Sequence, residues 1–182
     1  GLKILRGNLA PNSAIVRSSS VPESMKKFTG PAKVFNRDQE GVKAIKEGKI
    51  EPGDVMVIRY EGPKGAPGMK EIMLSTDALV AYGLDESVGL ITDGRFSGFN
   101  HGPIIGHVTP EAYAGGPLAL VEDGDIISVD IKNSTLDIKL SEKELAARRE
   151  KWQQPEAKVK QGMMHIYAQL CKSADQGAGM TI

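Results

Sequence analysis

The sequence predicts an α/β fold, a mixed β-sheet or barrel with flanking helices, and three observations predict it. About seven short apolar runs of strand character are interspersed with four helical stretches. They do not fall into a regular βαβαβ series, which argues against a doubly wound dinucleotide-binding sheet. A chain of 182 residues, 40% of them hydrophobic, can bury one sizeable core but not two comfortable domains, so 1–182 reads as a single domain.

In order along the chain, Ala14-Ile15-Val16 is a short strand inside a segment rich in Ser, Asn and Pro, and Pro31 to Phe35 is another. Asn36 with Gln39 reads as a capping box opening a helix whose apolar face holds Val42 and Ile45 and which stops at Gly48. Val55 to Ile58 is continuous apolar, as a strand buried on both faces would be. A helix is predicted over Glu71 to Tyr82, ended by Gly83, and a second buried strand over Val88 to Ile91. Pro110 to Tyr113 reads as a short helical turn. Leu118 to Val121, Ile126 to Asp130 and Leu136 to Leu140 read as strands separated by turn residues. Ser141 and Glu144 form a capping box for a charged helix through about Trp152, and an amphipathic helix is predicted from about Val159 to Lys172.

Charge and composition exclude several function classes. Lys plus Arg and Asp plus Glu are equal at 23 each, so no net charge draws the chain to nucleic acid or an anionic membrane. No apolar run approaches a membrane span, and the start at Gly1 lacks both a signal-peptide core and a Met, which points to a fragment or processed chain. Cys171 is the single cysteine and reads as a core residue, so no disulfide or cysteine cluster site is expected within the chain. The expectation is a reduced, cytoplasmic protein.

Two glycine-rich segments carry the chemical interest. Gly62 to Gly68 has glycines at G-x-x-G-x-x-G spacing, which matches neither the dinucleotide fingerprint nor the Walker loop. Pro63 and Pro67 also remove two backbone donors from any anion nest. It is either an ordinary structural loop or a rigid one that brings backbone close to a ligand. Glu71 follows it, readable as a first-turn helix carboxylate or as a hard oxygen ligand for Mg²⁺. Gly94-Arg95-Phe96-Ser97-Gly98 places a serine between glycines just past a buried strand, where ligands bind in open α/β sheets. Its serine stands one place late for a hydrolase elbow. His101 and His107 lie near enough to raise a Ser–His hydrolase, although no orienting acid is marked. His107 and Glu111 are four apart, but Pro110 between them disfavours one continuous helix, so His107 reads as a half-buried turn residue.

Taken together these segments resemble the dihydroxy-acid and sugar-acid dehydratase family. The resemblance runs through Gly7-Asn8-Leu9-Ala10, Phe28 to Ala32, Gly53-Asp54-Val55, Arg59 to Gly65, Pro67-Gly68-Met69, Thr92 to Gly98, Gly106-His107-Val108, Pro110-Glu111-Ala112, Gly115-Gly116-Pro117 and Glu122 to Asp125. Tyr60 to Lys64 with Phe96 is similar to the branched-chain branch rather than the phosphogluconate branch. The resemblance implies an aconitase-type swivelling β/β/α domain that closes over an N-terminal domain outside this chain. That domain would hold an iron–sulfur cluster and most of the Mg²⁺ ligands. It implies Glu71 as the Mg²⁺ ligand supplied here and Ser97 as catalytic base. Gly68, Met69, Arg95 and Gly98 are expected to support the substrate, a 2,3-dihydroxy acid, and a homodimer is expected. Arg95 is open to two roles, stabilising the serine alkoxide or serving as a structural ion-pair partner. Departures from the family pattern stand at Ala66, Ser75-Thr76 and Phe99-Asn100-His101. The other readings are a sugar-acid dehydratase and a stand-alone, non-catalytic binding module.

Overall fold

The computed structural model describes residues 1–180. Eight strands form one mixed sheet in the order β1-β2-β6-β5-β4-β3-β7-β8. These are β1 (Leu2–Leu5), β2 (Ser13–Arg17), β3 (Lys27–Phe35), β4 (Val55–Ile58), β5 (Gly89–Thr92), β6 (Ile104–Thr109), β7 (Ile126–Asp130) and β8 (Thr135–Ile138). The run β3-β4-β5-β6 is parallel, and the flanking pairs are antiparallel. A parallel bridge between Arg6 and Thr135 joins the chain after β1 to β8. The Asn8 side chain accepts from Ile138 N–H at 2.7 Å and donates to its carbonyl at 2.9 Å. The sheet is thereby nearly closed into a barrel, its two edge strands linked at one end.

Helices α1 (Asp38–Lys46) and α2 (Met73–Ala81) connect β3 to β4 and β4 to β5, while α3 (Glu142–Lys151) and α4 (Met163–Leu170) follow the last strand. The alternation of β4 separates two cores. Val55 and Val57 belong to the barrel interior with Leu5, Val16, Ile91, Ile105, Val129 and Leu136. Met56 and Ile58 pack with Ile45, Ile72, Leu79, Leu90 and Ile104 of the helix layer. All four β4 residues are therefore buried, each aliphatic side chain worth about 1.5–3 kcal/mol in transfer from water. No described helix is long and apolar enough to cross a membrane.

Several predicted elements are corrected. Leu118 to Val121 is not a strand: Pro117–Leu120 is a fully buried 3-10 turn, since a short apolar run looks the same in either role. Strands β1 and β6 arise in stretches for which the sequence predicts no element. The Asn36–Gln39 box is displaced: Arg37 is the N-cap without a side-chain bond, and Glu40 instead accepts from Asn36 N–H at 2.8 Å. The last helix is shorter than the predicted Val159–Lys172, leaving Cys171 just beyond its end, 3% exposed. Val55–Ile58, the Ser141–Glu144 box and α3 stand as read.

A candidate active site at the ends of two parallel strands

Ile58 and Thr92 are register partners at the C-terminal ends of β4 and β5, so the Gly–Pro loop and the Ser97 loop leave the sheet side by side. Between them sits Asp93, fully buried, whose carboxylate accepts from the N–H groups of Tyr60 (3.2 Å), Glu61 (2.9 Å) and Ala112 (2.8 Å). Those bonds hold Tyr60 at φ 63°, a left-handed backbone that costs a non-glycine residue on the order of 1–3 kcal/mol. Burial pushes the Asp93 carboxyl up to about 6, against the backbone donors. Glu111, 2% exposed, reaches into the Gly–Pro loop and accepts from Lys64 N–H (3.0 Å) and Gly65 N–H (3.0 Å). Burial raises it to about 7. Gly62 is required there, because a Cβ would stand 2.6 Å from the Glu111 carboxylate. Neither acid was singled out for this task in the sequence. Glu111 stands out in the sequence through its spacing from His107, which lies in β6 on a different element, and as part of the Pro110-Glu111-Ala112 segment, neither of which points to the Gly–Pro loop.

The Gly–Pro loop is thus a pinned loop, not a nucleotide cradle. Its end is tied to the Ser97 loop by a short parallel bridge between Glu71 and Arg95. Ile72 N–H donates to Arg95 O at 2.9 Å and Arg95 N–H to Lys70 O at 3.3 Å. Glu71 consequently precedes α2 as extended backbone, correcting its expected place in the first helical turn. The helix starts at Met73 because Asp38, from α1, accepts from Leu74 N–H (3.1 Å) and Ser75 N–H (3.0 Å). Met69 is buried with φ 48°, its N–H bonded to Ala66 O at 2.8 Å and its carbonyl accepting from Arg95 Nε. Arg95 forms no ion pair among the described residues; its side-chain bond is to that carbonyl. Gly68 and Gly98 are exposed.

Ser97 is half-buried, and its Oγ accepts from Phe99 N–H at 3.2 Å. Neither His101 nor His107 bonds it among the described residues. His101 is exposed; His107 instead meets the Phe96 ring edge-on at 5.9 Å, and burial lowers its pKa. The geometry lacks the base and orienting acid of a serine hydrolase. Phe99 is 93% exposed, and Asn100 is buried with neither side-chain amide atom hydrogen-bonded.

The Glu71 carboxylate takes part in no ion pair or hydrogen bond among the described residues. A half-buried carboxylate with free oxygens fits one hard ligand of Mg²⁺, which commonly takes one or two carboxylates and completes its shell with water and substrate oxygens. No group of three or more His, Cys, Asp or Glu side chains placed to hold a metal occurs among the described residues. An iron–sulfur cluster does not fit this chain: its one cysteine is buried, and burial raises the thiol pKa.

Residues 1–178 match the family model described as dihydroxy-acid/6-phosphogluconate dehydratase C-terminal. Curated relatives named dihydroxy-acid dehydratase include one from Syntrophotalea carbinolica, 53% identical over 178 residues (98% of this chain, 32% of the relative). Another, from Ignicoccus hospitalis, is 52% identical over 180 residues (99% of this chain, 33% of the relative). A third, from Lachnospira eligens, is 54% identical over 178 residues (98% and 32%). The chain spans about a third of the length of these relatives. With that match running the length of the two pinned loops, the chain belongs to the dihydroxy-acid/6-phosphogluconate dehydratase C-terminal domain family.

Proposed function

We propose that this chain is the C-terminal domain of a hydro-lyase that converts 2,3-dihydroxy-3-methyl acids to 2-keto acids in valine and isoleucine synthesis. It would supply Ser97 as base and Glu71 as one Mg²⁺ ligand. The observation that carries the reading is the Glu71–Arg95 bridge, which couples the metal-type carboxylate to the serine loop across two strand ends. Relatives more than 50% identical and named dihydroxy-acid dehydratase support the reaction class.

In this reading Ser97 Oγ takes the C2 proton. A serine oxygen is a weak base unless its alkoxide is stabilised, and the Phe99 N–H already donates to it. The Arg95 guanidinium, tethered to the Met69 carbonyl, adds positive charge nearby. The C3 hydroxyl then leaves as water, recovering the proton that Ser97 Oγ took from C2, and the enol left behind tautomerises to the 2-keto acid. Mg²⁺, when bound, supplies Lewis-acid charge for the substrate oxygens. Gly98 leaves open space for an approaching acid, whereas the space beside Gly68 is taken by the Met164 methyl. The iron–sulfur cluster belongs to the proposed N-terminal domain, and a cytoplasmic homodimer completes the proposal. Exposed Phe99, Met73 and Leu74 beside the loops are apolar surface that a covering domain would bury.

The test is turnover by the whole enzyme carrying this domain. We expect Mg²⁺-dependent dehydration of 2,3-dihydroxy-3-methylbutanoate in preference to aldonates, lost on chelation. Activity on aldonates alone would move the assignment to the sugar-acid branch, and no dehydration by the whole protein would leave a binding module.

A further inference from the structure

A cleft of about 330 Å³ opens beside the Gly–Pro loop, with Arg37, Gln39, Glu61, Pro67, Lys70 and Lys158 in its lining. Ser97, Glu71 and Arg95 take no part in it. One carboxylate here pairs with two lysines, and Arg37 stands in the same lining. Glu61 is 1% exposed, with Lys70 Nζ 3.5 Å from its Oε1 and Lys158 Nζ 3.4 Å from its Oε2. Asp38 N–H donates to Oε1 at 3.3 Å, whereas the buried Oε2 accepts no hydrogen bond. Lys158 spends its bond on the Tyr60 carbonyl, at 2.7 Å. The start of α1, without a side-chain cap at Arg37, adds the positive end of a helix to the same wall. Burial depresses the Lys158 pKa more than Glu61 restores it, so its charge is under-compensated. An anion would balance the surplus of cations in the lining, but a plain anion would leave Glu61 Oε2, ion-paired with Lys158, still without a hydrogen-bond donor.

We propose that this cleft binds a small hydroxy carboxylate, its carboxylate among Lys70, Lys158 and Arg37 and its hydroxyl donating to Glu61 Oε2. The site adjoins the loop that leads to Glu71 and is distinct from the proposed catalytic pair.

Binding is measurable on the 182-residue chain by amide NMR, without metal or turnover, so its outcome is separate from that of the catalytic reading. Titration with 2-hydroxy-3-methylbutanoate should give saturable shifts at Asp38, Gln39, Lys70 and Val159. The acid lacking the hydroxyl, 3-methylbutanoate, should bind about tenfold more weakly, the effect of one lost hydrogen bond to a buried charge. Lys70→Met, at a partly exposed side chain, should weaken the hydroxy acid by a similar factor, and Glu61→Gln should erase the preference for the hydroxyl. Shifts that never saturate, equal binding of the two acids, or unchanged binding by Lys70→Met would overturn the proposal. Inorganic phosphate binding the same residues more tightly than the hydroxy acid would overturn the carboxylate assignment.

Discussion

At the ends of β4 and β5, loop N–H groups from Tyr60, Glu61, Lys64, Gly65 and Ala112 converge on two buried acids, Asp93 and Glu111. Around the β7–β8 hairpin and α3 the acids accept from backbone only three residues away. Asp130 accepts from Asn133 N–H at 2.9 Å, Asp125 from Glu122 N–H at 2.8 Å, and Ser141 and Glu144 cap each other. The two regions respond to protons in opposite senses. Burial raises Asp93 and Glu111 to about 6 and about 7. In the other region, bonds to Asn133 lower Asp130 and bonds to Ser141 lower Glu144. A raised carboxyl favours the folded state below its ordinary pKa, and that contribution is lost as pH rises through the folded value. A lowered one contributes above its ordinary pKa and loses that contribution as pH falls. The site end of the molecule therefore trades stability for two desolvated acids that hold a loop in place, and the hairpin end makes no such trade.

The sharpest way to break that contrast is Asp93→Asn. The amide nitrogen must face a backbone N–H, so at least one loop bond is lost in a dry site. The expected cost is about 2–3 kcal/mol in urea unfolding, with lost exchange protection at Tyr60, Glu61 and Ala112. A change below about 0.5 kcal/mol would mean the carboxylate does not pin the loop. A smaller effect sharpens the comparison through pH. Unfolding free energy of the chain should fall between about pH 4 and 7, from the ordinary carboxyl range to the raised values of Asp93 and Glu111, and Glu111→Gln should flatten the slope. Stability rising across that window would contradict it. Smallest is Ser141→Ala, expected to cost about 1 kcal/mol through the lost cap, read as reduced helicity of α3 with unchanged amide exchange at Lys64 and Gly65.

The same contrast separates what sequence patterns reveal from what they hide. The hairpin region is written in local signals: a capping box three residues wide and turns at Asp123–Asp125 and Lys132–Ser134, all found where expected. Val55–Ile58 was legible because a strand covered on both faces is apolar throughout. The site loops were legible as motifs, but not in the bonds that shape them. Asp93 and Glu61 are 32 residues apart and Glu111 and Lys64 are 47 apart, distances at which periodicity and spacing carry no information. Strand β6 was missed for a related reason. Gly106 breaks its apolar pattern, yet a side chain there would strike the Phe96 ring at 2.5 Å, so the residue answers to a partner outside the strand. Glu71 was displaced from its expected helical turn because the cap that starts α2 comes from Asp38, on another helix. The departures at Phe99 and Asn100 turn out to be an exposed ring and a buried amide without hydrogen-bond partners, both next to Ser97.

The central claim is that Ser97 acts on substrate while Asp93 and Glu111 only hold its surroundings. Its most direct measurement is Ser97→Ala in the whole enzyme, assayed for dehydration and, in parallel, for stability and for amide exchange at Tyr60 and Lys64. We expect turnover to fall by at least about 100-fold, the scale of losing a positioned base, with stability and loop protection unchanged. Wild-type turnover by Ser97→Ala, with the fold equally intact, would contradict the account.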